Sequence, residues 1–381
     1  MMISYNFFNP TRLVFGEHTL GQVGKWIADS GYTRVLLLAG AGSIQKNGVY
    51  DAVTASLNAE KIQWAECFGV QPNPSLSKVR EAINLALEHQ VEAVLAVGGG
   101  SVIDTAKAVA AGVFLDDIWQ AFEGEIRISK ALPVFTVLTL SATASEMNGN
   151  AVITNERDKK KWGIGSSFLY PKVSIIDPSV QTSLPWEQTV NGALDALAHI
   201  MEFYFVGKEE ETSISIHEAL MKTIIAMVDK LQENPKDVDS RANLAWAATL
   251  ALNGISGAGM RGGDWACHGM EHSISCLNSS IAHGAGLGIL FPAWMQYVYD
   301  ENPKQFNRFA QNIWQSASLS AAIRKMRARI KKWQGHTRLH ELGIREEQLN
   351  GLAENAVAQG SLGRLKKLHK SDVEQILRLA Y

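Results

Sequence analysis

Only three cysteines, Cys67, Cys267 and Cys276, occur in 381 residues. That is too few for a disulfide framework and fits a reducing compartment. Long basic blocks are missing too. The formal net charge is −2, and the short run "RLKKLHK" reads as a solvated helix face, so neither nucleic acid nor an anionic membrane is expected as a partner. No stretch approaches the roughly 18 to 20 apolar residues of a membrane span, and the opening "MMISYNFFNPTRLVFG" lacks the basic and apolar segments of a secretion signal. A cytoplasmic chain is the expectation. Internal repeats and low-complexity tracts are absent as well.

What is present describes an ordinary folded chain. With 46% hydrophobic and 19% charged residues, it can bury a large core, and its length exceeds what one core usually holds. Two domains are expected. In the first half, apolar runs ("RVLLLAG", "IQWAECFG", "VEAVLAVGGG", "LPVFTVLTL", "KVSIIDP") alternate with amphipathic stretches such as "SLSKVREAINLALEHQ". Strands that alternate with helices pair in parallel through helical crossovers, and near-continuous apolar strands are covered on both faces. The fold class is therefore α/β: a doubly wound, mostly parallel sheet over residues 1–183. After "SLP" the pattern turns to long Ala/Leu-rich periodic segments, which predicts an all-helical domain over 184–381.

Two glycine-bearing turns sit at strand ends. In "LAVGGGSVIDTAK", Gly98, Gly99 and Gly100 join a strand to a helix that begins with Ser101 and Asp104. A helix N-terminus approached through Cβ-free residues suits a dinucleotide pyrophosphate, although the spacing is not G-x-G-x-x-G. The earlier turn "LAGAGSIQK" carries Gly40, Gly42 and Ser43 where NAD-selective sites of this type place an acid. With no carboxylate to repel a 2′-phosphate, and with Lys46 nearby, NADP(H) is preferred over NAD(H).

Asp195 and His199 lie four apart in "ALDALAHIME" and leave one face of an apolar helix. Such a buried carboxylate needs a partner or a metal. His268 falls on a later predicted helix, and His283 follows beyond "LNSS". One carboxylate and three imidazoles suit a single divalent ion, Fe²⁺ or Zn²⁺, better than Mg²⁺. Read literally, residues 268–272 also spell the H-x-x-E-H of a class of zinc peptidase, with Glu271 activating water. That alternative leaves the glycine turn without a purpose.

The chain resembles the iron-containing (metal-dependent, group III) alcohol dehydrogenases in "NPTRLVFG", "QPNP", "GGGSVIDTAK", "TLSATASE", D-x-x-x-H, H-G-x-x-H and A-H-G, which occur in that order from about residue 5 to 300. The acid-free "GAGS" and "DWACHGMEH" are most similar to the NADP(H)-dependent butanol-dehydrogenase-like aldehyde reductases. The resemblance implies that Asp195, His199, His268 and His283 bind the metal, and that His272 is a non-ligand near the substrate. It also implies nucleotide contacts from Gly98, Gly99, Gly100, Ser101, Asp104, Thr139, Thr143 and Lys161, with Asn73 near the adenosine. Three departures stand out: Ala144 replaces a usual glycine, His272 to His283 is one residue longer, and a proline is missing after Gly335.

The implied reaction is reversible hydride transfer between a nicotinamide and a small aldehyde or primary alcohol, with metal polarising the oxygen and His272 or water carrying the proton. Trp162 and Trp265 would favour an apolar substrate tail. Metal and nicotinamide are expected to meet in the cleft between the two domains. A homodimer is expected through the N-terminal strand. Besides the peptidase, two alternatives remain: a dehydroquinate-synthase-like metal/NAD enzyme and a non-catalytic dinucleotide sensor.

Overall fold

The computed structural model describes residues 3–381 and divides into two compact units. One comprises Phe8–Leu184 together with Pro235–Thr249. The other holds Pro185–Asn234, Leu250–Tyr381 and the described N-terminal residues up to Phe7.

In the first unit, six parallel strands form a single sheet: β1 (Arg12–Phe15), β2 (Arg34–Ala39), β3 (Gln63–Cys67), β4 (Ala93–Gly98), β5 (Val134–Leu138) and β8 (Val173–Ile176). Their order is β1-β8-β5-β4-β2-β3. The strands β2 and β4 are buried along nearly all their length because both faces carry helices. Leu36, Leu38, Val94 and Ala96 pack into one core, and Val35, Leu37, Ala93, Leu95 and Val97 into the other. This is the doubly wound architecture that alternating apolar strands predict.

Strand order locates the binding edge. From β2 the chain runs outward to β3, whereas from β4 it runs the other way to β5. Loops leaving the C-terminal ends of adjacent β2 and β4 thus diverge, and a crevice opens at such a switch point. Residues 40–43 follow β2 and residues 98–100 end β4, so both glycine turns stand at this point.

A hairpin of β6 (Asn150–Asn155) and β7 (Lys160–Gly165) was not anticipated from sequence. Its charged tip "ERDKKK" masks a short period-2 pattern. The hairpin core joins the sheet core: Ala151, Ile153 and Ile164 are buried there. Trp162 stacks on Trp119 at 5.5 Å, so its ring is spent in this unit's own packing.

Among its described residues the second unit is helical, apart from one isolated bridge between Leu362 and Leu368. Its central helix, Trp186–Tyr204, is buried from Thr189 onward except at Asn191. The helix His283–Val298 crosses it at glycine: a Cβ on Gly284 would lie 1.9 Å from the Asn191 carbonyl oxygen. Only glycine allows these two backbones to approach so closely. No helix among the described residues is long and apolar enough to cross a membrane.

Candidate active site

Two glycines of the second turn are required by a neighbour. A Cβ at Gly98 would meet Val102 at 2.4 Å, and one at Gly100 would meet the Thr143 hydroxyl at 2.4 Å. Gly99 is the N-cap of the helix Gly100–Gly112, whose first turn presents backbone N–H groups at the switch point. The chain after β5 returns to the same place: the Thr139 N–H donates to the Gly98 carbonyl at 3.0 Å. On the β2 side Gly42 has φ +111, a left-handed turn that opens the short helix Ser43–Lys46. Glycine at 98 and 100 thus lets the turn pack directly on Val102 and Thr143, which keeps the helix N-terminus close to the strand end, an arrangement compatible with a dinucleotide pyrophosphate.

Asn73 and Lys161 are far apart in sequence but adjacent in space, with Lys161 Nζ donating to Asn73 Oδ1 at 2.8 Å. Asp104 is placed differently from a direct phosphate contact. Its carboxylate accepts from Ser145 Oγ at 2.6 Å and from the Val152 N–H at 2.9 Å. Burial raises its carboxyl above the usual range, opposed mainly by the Lys107 ammonium. Asp104 therefore fastens the loop after β5 to the glycine-turn helix.

In the helical unit, Asp195 and His199 project from one face of Trp186–Tyr204, and His268 comes from the helix Ala266–Leu277. These side chains are 3%, 5% and 7% exposed. Their ligand atoms lie within 4.8 Å of one another. His199 Nε2 stands 3.7 Å and His283 Nε2 3.8 Å from Asp195 Oδ1. Such separations are too long for hydrogen bonds, yet they suit donors sharing one ion at about 2.0–2.2 Å each. His283 begins its helix at the crossing with Trp186–Tyr204, which brings it to the same carboxylate.

Two buried glutamates that sequence reading did not assign to this role complete the arrangement. Glu202 Oε1 is 2.6 Å from His268 Nδ1, and its other oxygen accepts the Trp265 N–H at 2.5 Å. Glu271 hydrogen-bonds His283 Nδ1 and accepts from Ser275 Oγ at 2.5 Å. Both carboxylates are fully buried. Each directs one imidazole so that Nε2, not Nδ1, faces Asp195, as partners of metal-binding histidines do. His268 Nε2 is buried and has no hydrogen-bond partner among the described residues. A buried polar atom aimed at a carboxylate and a second imidazole fits a metal-binding role. The signal available in sequence was a glutamate within the apolar run "ALAHIMEFYF", since a buried charge needs a partner.

His272 is half-buried, with its ring 5.6 Å from that of His283. It groups with Glu271 and His283, whereas His268 groups with Asp195 and His199. That division, and the engagement of Glu271 with His283 and Ser275, leaves no peptidase arrangement at 268–272. Cys267 is fully buried and burial holds its thiol protonated, which suits packing. Trp265 lies edge-on to His268 at 5.2 Å, so of Trp162 and Trp265 it is the one beside the histidines.

Comparison with known proteins gives one result across the whole chain. Residues 10–178 match the family described as iron-containing alcohol dehydrogenase, and residues 189–381 match the C-terminal part of the Fe-containing alcohol dehydrogenase family. NADH-dependent butanol dehydrogenase A of Clostridium acetobutylicum is 37% identical over 392 residues, covering 100% of both chains. The NADPH-dependent aldehyde reductase YqhD of Escherichia coli is 34% identical, covering 82% of this chain and 81% of its own. The crystal structure of NADH-dependent butanol dehydrogenase A from Thermotoga maritima superposes with a TM-score of 0.97 at 52% identity, covering 100% of this chain and 99% of that one.

Proposed function

The chain belongs to the iron-containing alcohol dehydrogenase family, and from that premise we propose that Asp195, His199, His268 and His283 hold its divalent metal ion while the turns after β2 and β4 hold its nicotinamide cofactor. The protein is an NAD(P)-dependent oxidoreductase that interconverts small primary alcohols and aldehydes. The observation that carries the site assignment is the buried Nε2 of His268, directed by Glu202 toward Asp195 and His199.

A bound divalent ion supplies Lewis-acid polarisation of the carbonyl oxygen, and the reduced nicotinamide supplies the hydride. The rest falls to the chain. Glu202 and Glu271 fix which imidazole nitrogens face the ligand set, so no reorganisation is needed during the reaction. The nucleotide side of the reading assigns Gly98, Gly99, Gly100 and Ser101 to the pyrophosphate, Thr139, Thr143 and Lys161 to the nucleotide or nicotinamide side, and Asn73 to the adenosine side. His272 is assigned as the proton carrier through an imidazole nitrogen, outside the ligand set.

Gly40, Gly42 and Ser43 leave the β2 turn without a carboxylate, which supports acceptance of the 2′-phosphate and a preference for NADPH. Only three cysteines, Cys67, Cys267 and Cys276, in 381 residues support a reducing, cytoplasmic setting. The chemistry is tested by chelating the protein, restoring Fe²⁺ or Zn²⁺, and following butanal-dependent oxidation of NADPH and NADH in parallel. Turnover is expected only after metal return, with kcat/KM higher for NADPH. Equal turnover by the chelated protein would sink the ligand assignment, and a higher kcat/KM for NADH would sink the cofactor preference.

We also read the protein as a homodimer. Among the described residues β1 has only β8 beside it, and Phe15 at its end and Trp246 are 38% and 43% exposed. An open edge flanked by aromatic rings is a natural pairing surface. Light scattering is expected to give the mass of two chains. The mass of one chain would remove the reading.

A further inference from the structure

Beneath the glycine turn lies a second buried cluster that the reaction as described does not use. Lys107 is fully buried on the helix Gly100–Gly112. Its Nζ donates to Ser145 Oγ at 2.7 Å, to Asn148 Oδ1 at 3.1 Å and to the Asn150 carbonyl at 2.8 Å. Three donors thus meet three acceptors, which is the full capacity of an ammonium group. Ser145 and Asn148 lie in the loop after β5 and Asn150 opens β6, so all three acceptors fall within eight residues that include Thr143.

That loop has little regular structure of its own. It contains a three-residue turn, Ser145–Met147, and its Ala144 sits at φ +51, a left-handed conformation that alanine adopts at a cost. Further bonds knit it internally: Ser145 N–H donates to Thr143 Oγ1 and Asn148 Nδ2 donates to the Thr143 carbonyl, both at 3.2 Å. The Thr143 hydroxyl in turn stands where a Cβ on Gly100 would fall. The ammonium therefore ties the loop that carries Thr143 to the helix whose N-terminus is the pyrophosphate turn.

We propose that Lys107 is a positioning residue for the nicotinamide cofactor: its ammonium holds residues 143–150 against the glycine turn, so that cofactor affinity, and not the hydride-transfer step, depends on its charge. This rests on the reading that the glycine turn holds the pyrophosphate.

The surroundings make that charge sensitive to pH. Burial pulls the Lys107 amine down to about 8, while Asp104 and Glu146 hold it up. Asp104 shares its helix, Glu146 faces it from the loop and accepts from Thr249 Oγ1 at 2.6 Å, and Lys161 on β7 faces Asp104 as the second cation. If binding favours the protonated form, affinity is fully present below that value and is lost as pH rises through it. A neutral amine offers two donors to three acceptors, and one acceptor is then left unsatisfied.

The experiment measures KM for NADPH and kcat with butanal on the metal-loaded enzyme from about pH 6.5 to 9.5, in the wild type and in Lys107→Met, Lys107→Arg and Asn148→Ala. In the wild type, KM for NADPH is expected to rise about tenfold above pH 8 with kcat changed less than about twofold. Lys107→Met should show a KM raised about tenfold or more and flat with pH. Lys107→Arg should hold a low KM to the top of the range, because a guanidinium stays charged. Asn148→Ala should raise KM several-fold and keep the alkaline limb. A Lys107→Met enzyme with unchanged KM overturns the proposal, whatever its kcat, and if Lys107→Met does not fold an Asn148→Ala enzyme with unchanged KM does so. Ser101→Asp separates the two readings: it puts a carboxylate at the helix N-terminus and raises KM only if the pyrophosphate binds there. An effect of Ser101→Asp with none at Lys107 overturns the role of Lys107 alone.

Discussion

Asp195→Ala is expected to yield a folded protein that retains less than about a tenth of an equivalent of Fe²⁺ or Zn²⁺ and has kcat/KM for aldehydes lower by about a thousandfold or more. Asp195 carries the only carboxylate in the proposed ligand set, and both His199 Nε2 and His283 Nε2 stand less than 4 Å from its Oδ1. Removing it takes away the anionic donor and leaves three imidazoles, whose protonation then competes with metal binding. The site is buried, so bulk water cannot readily replace the lost carboxylate. Metal content after gel filtration and NADPH consumption should fall together. A variant that keeps a full equivalent of metal and more than a tenth of wild-type activity would sink the assignment of Asp195 as a ligand.

Gly284→Ala is expected to lower activity by on the order of a hundredfold without touching a ligand. The added methyl would meet the Asn191 carbonyl oxygen at 1.9 Å and its carbonyl carbon at 2.7 Å, both backbone atoms of the helix that carries Asp195. Neither helix can yield by turning a side chain, so the two must separate. Overpacking of this kind costs about 1–3 kcal/mol or more, which lowers Tm by several degrees in a unit of this size. His283 is the preceding residue and faces Asp195 across this crossing, so separation also pulls a ligand from the set. Misplacement of about 1 Å at a reacting centre costs on the order of a hundredfold in rate. Gly351→Ala serves as the comparison: it lies in the helix Leu349–Ala356 with nothing within 4 Å of the new Cβ. There alanine should leave activity unchanged and stability equal or slightly higher. Equal Tm and metal affinity for the two variants would show that the crossing tolerates the methyl.

Much of this architecture was legible in the sequence because the signals are local. The apolar runs that become β2, β4, β5 and β8 need burial on both faces, and that alone calls for helices on either side. Glycines at 98–100 between a strand and a helix mark a turn where backbone must come close to something else. Asp195 and His199 declare a shared helix face by their spacing, whatever surrounds them. The β6–β7 hairpin was hidden because its alternation is brief and broken by a charged tip, so it gains its place from packing against the sheet core.

Partnerships across sequence distance belong to the tertiary structure. Nothing near Glu202 says that it will direct an imidazole 66 residues later. Nothing in "DTAKAVAAG" says that Lys107 will be sealed in and meet three acceptors about 40 residues on. Asp104 shows the same limit in reverse: its position in the first turn suggested phosphate, and its partners turned out to be Ser145 and Val152. The sequence determined which residue types must be buried and how often they recur along each element, since hydrophobic burial and backbone periodicity act over a few residues. Only the folded chain decided which buried polar groups face one another, because an unpaired buried charge is so costly that its partner is chosen by three-dimensional proximity and not by order along the chain.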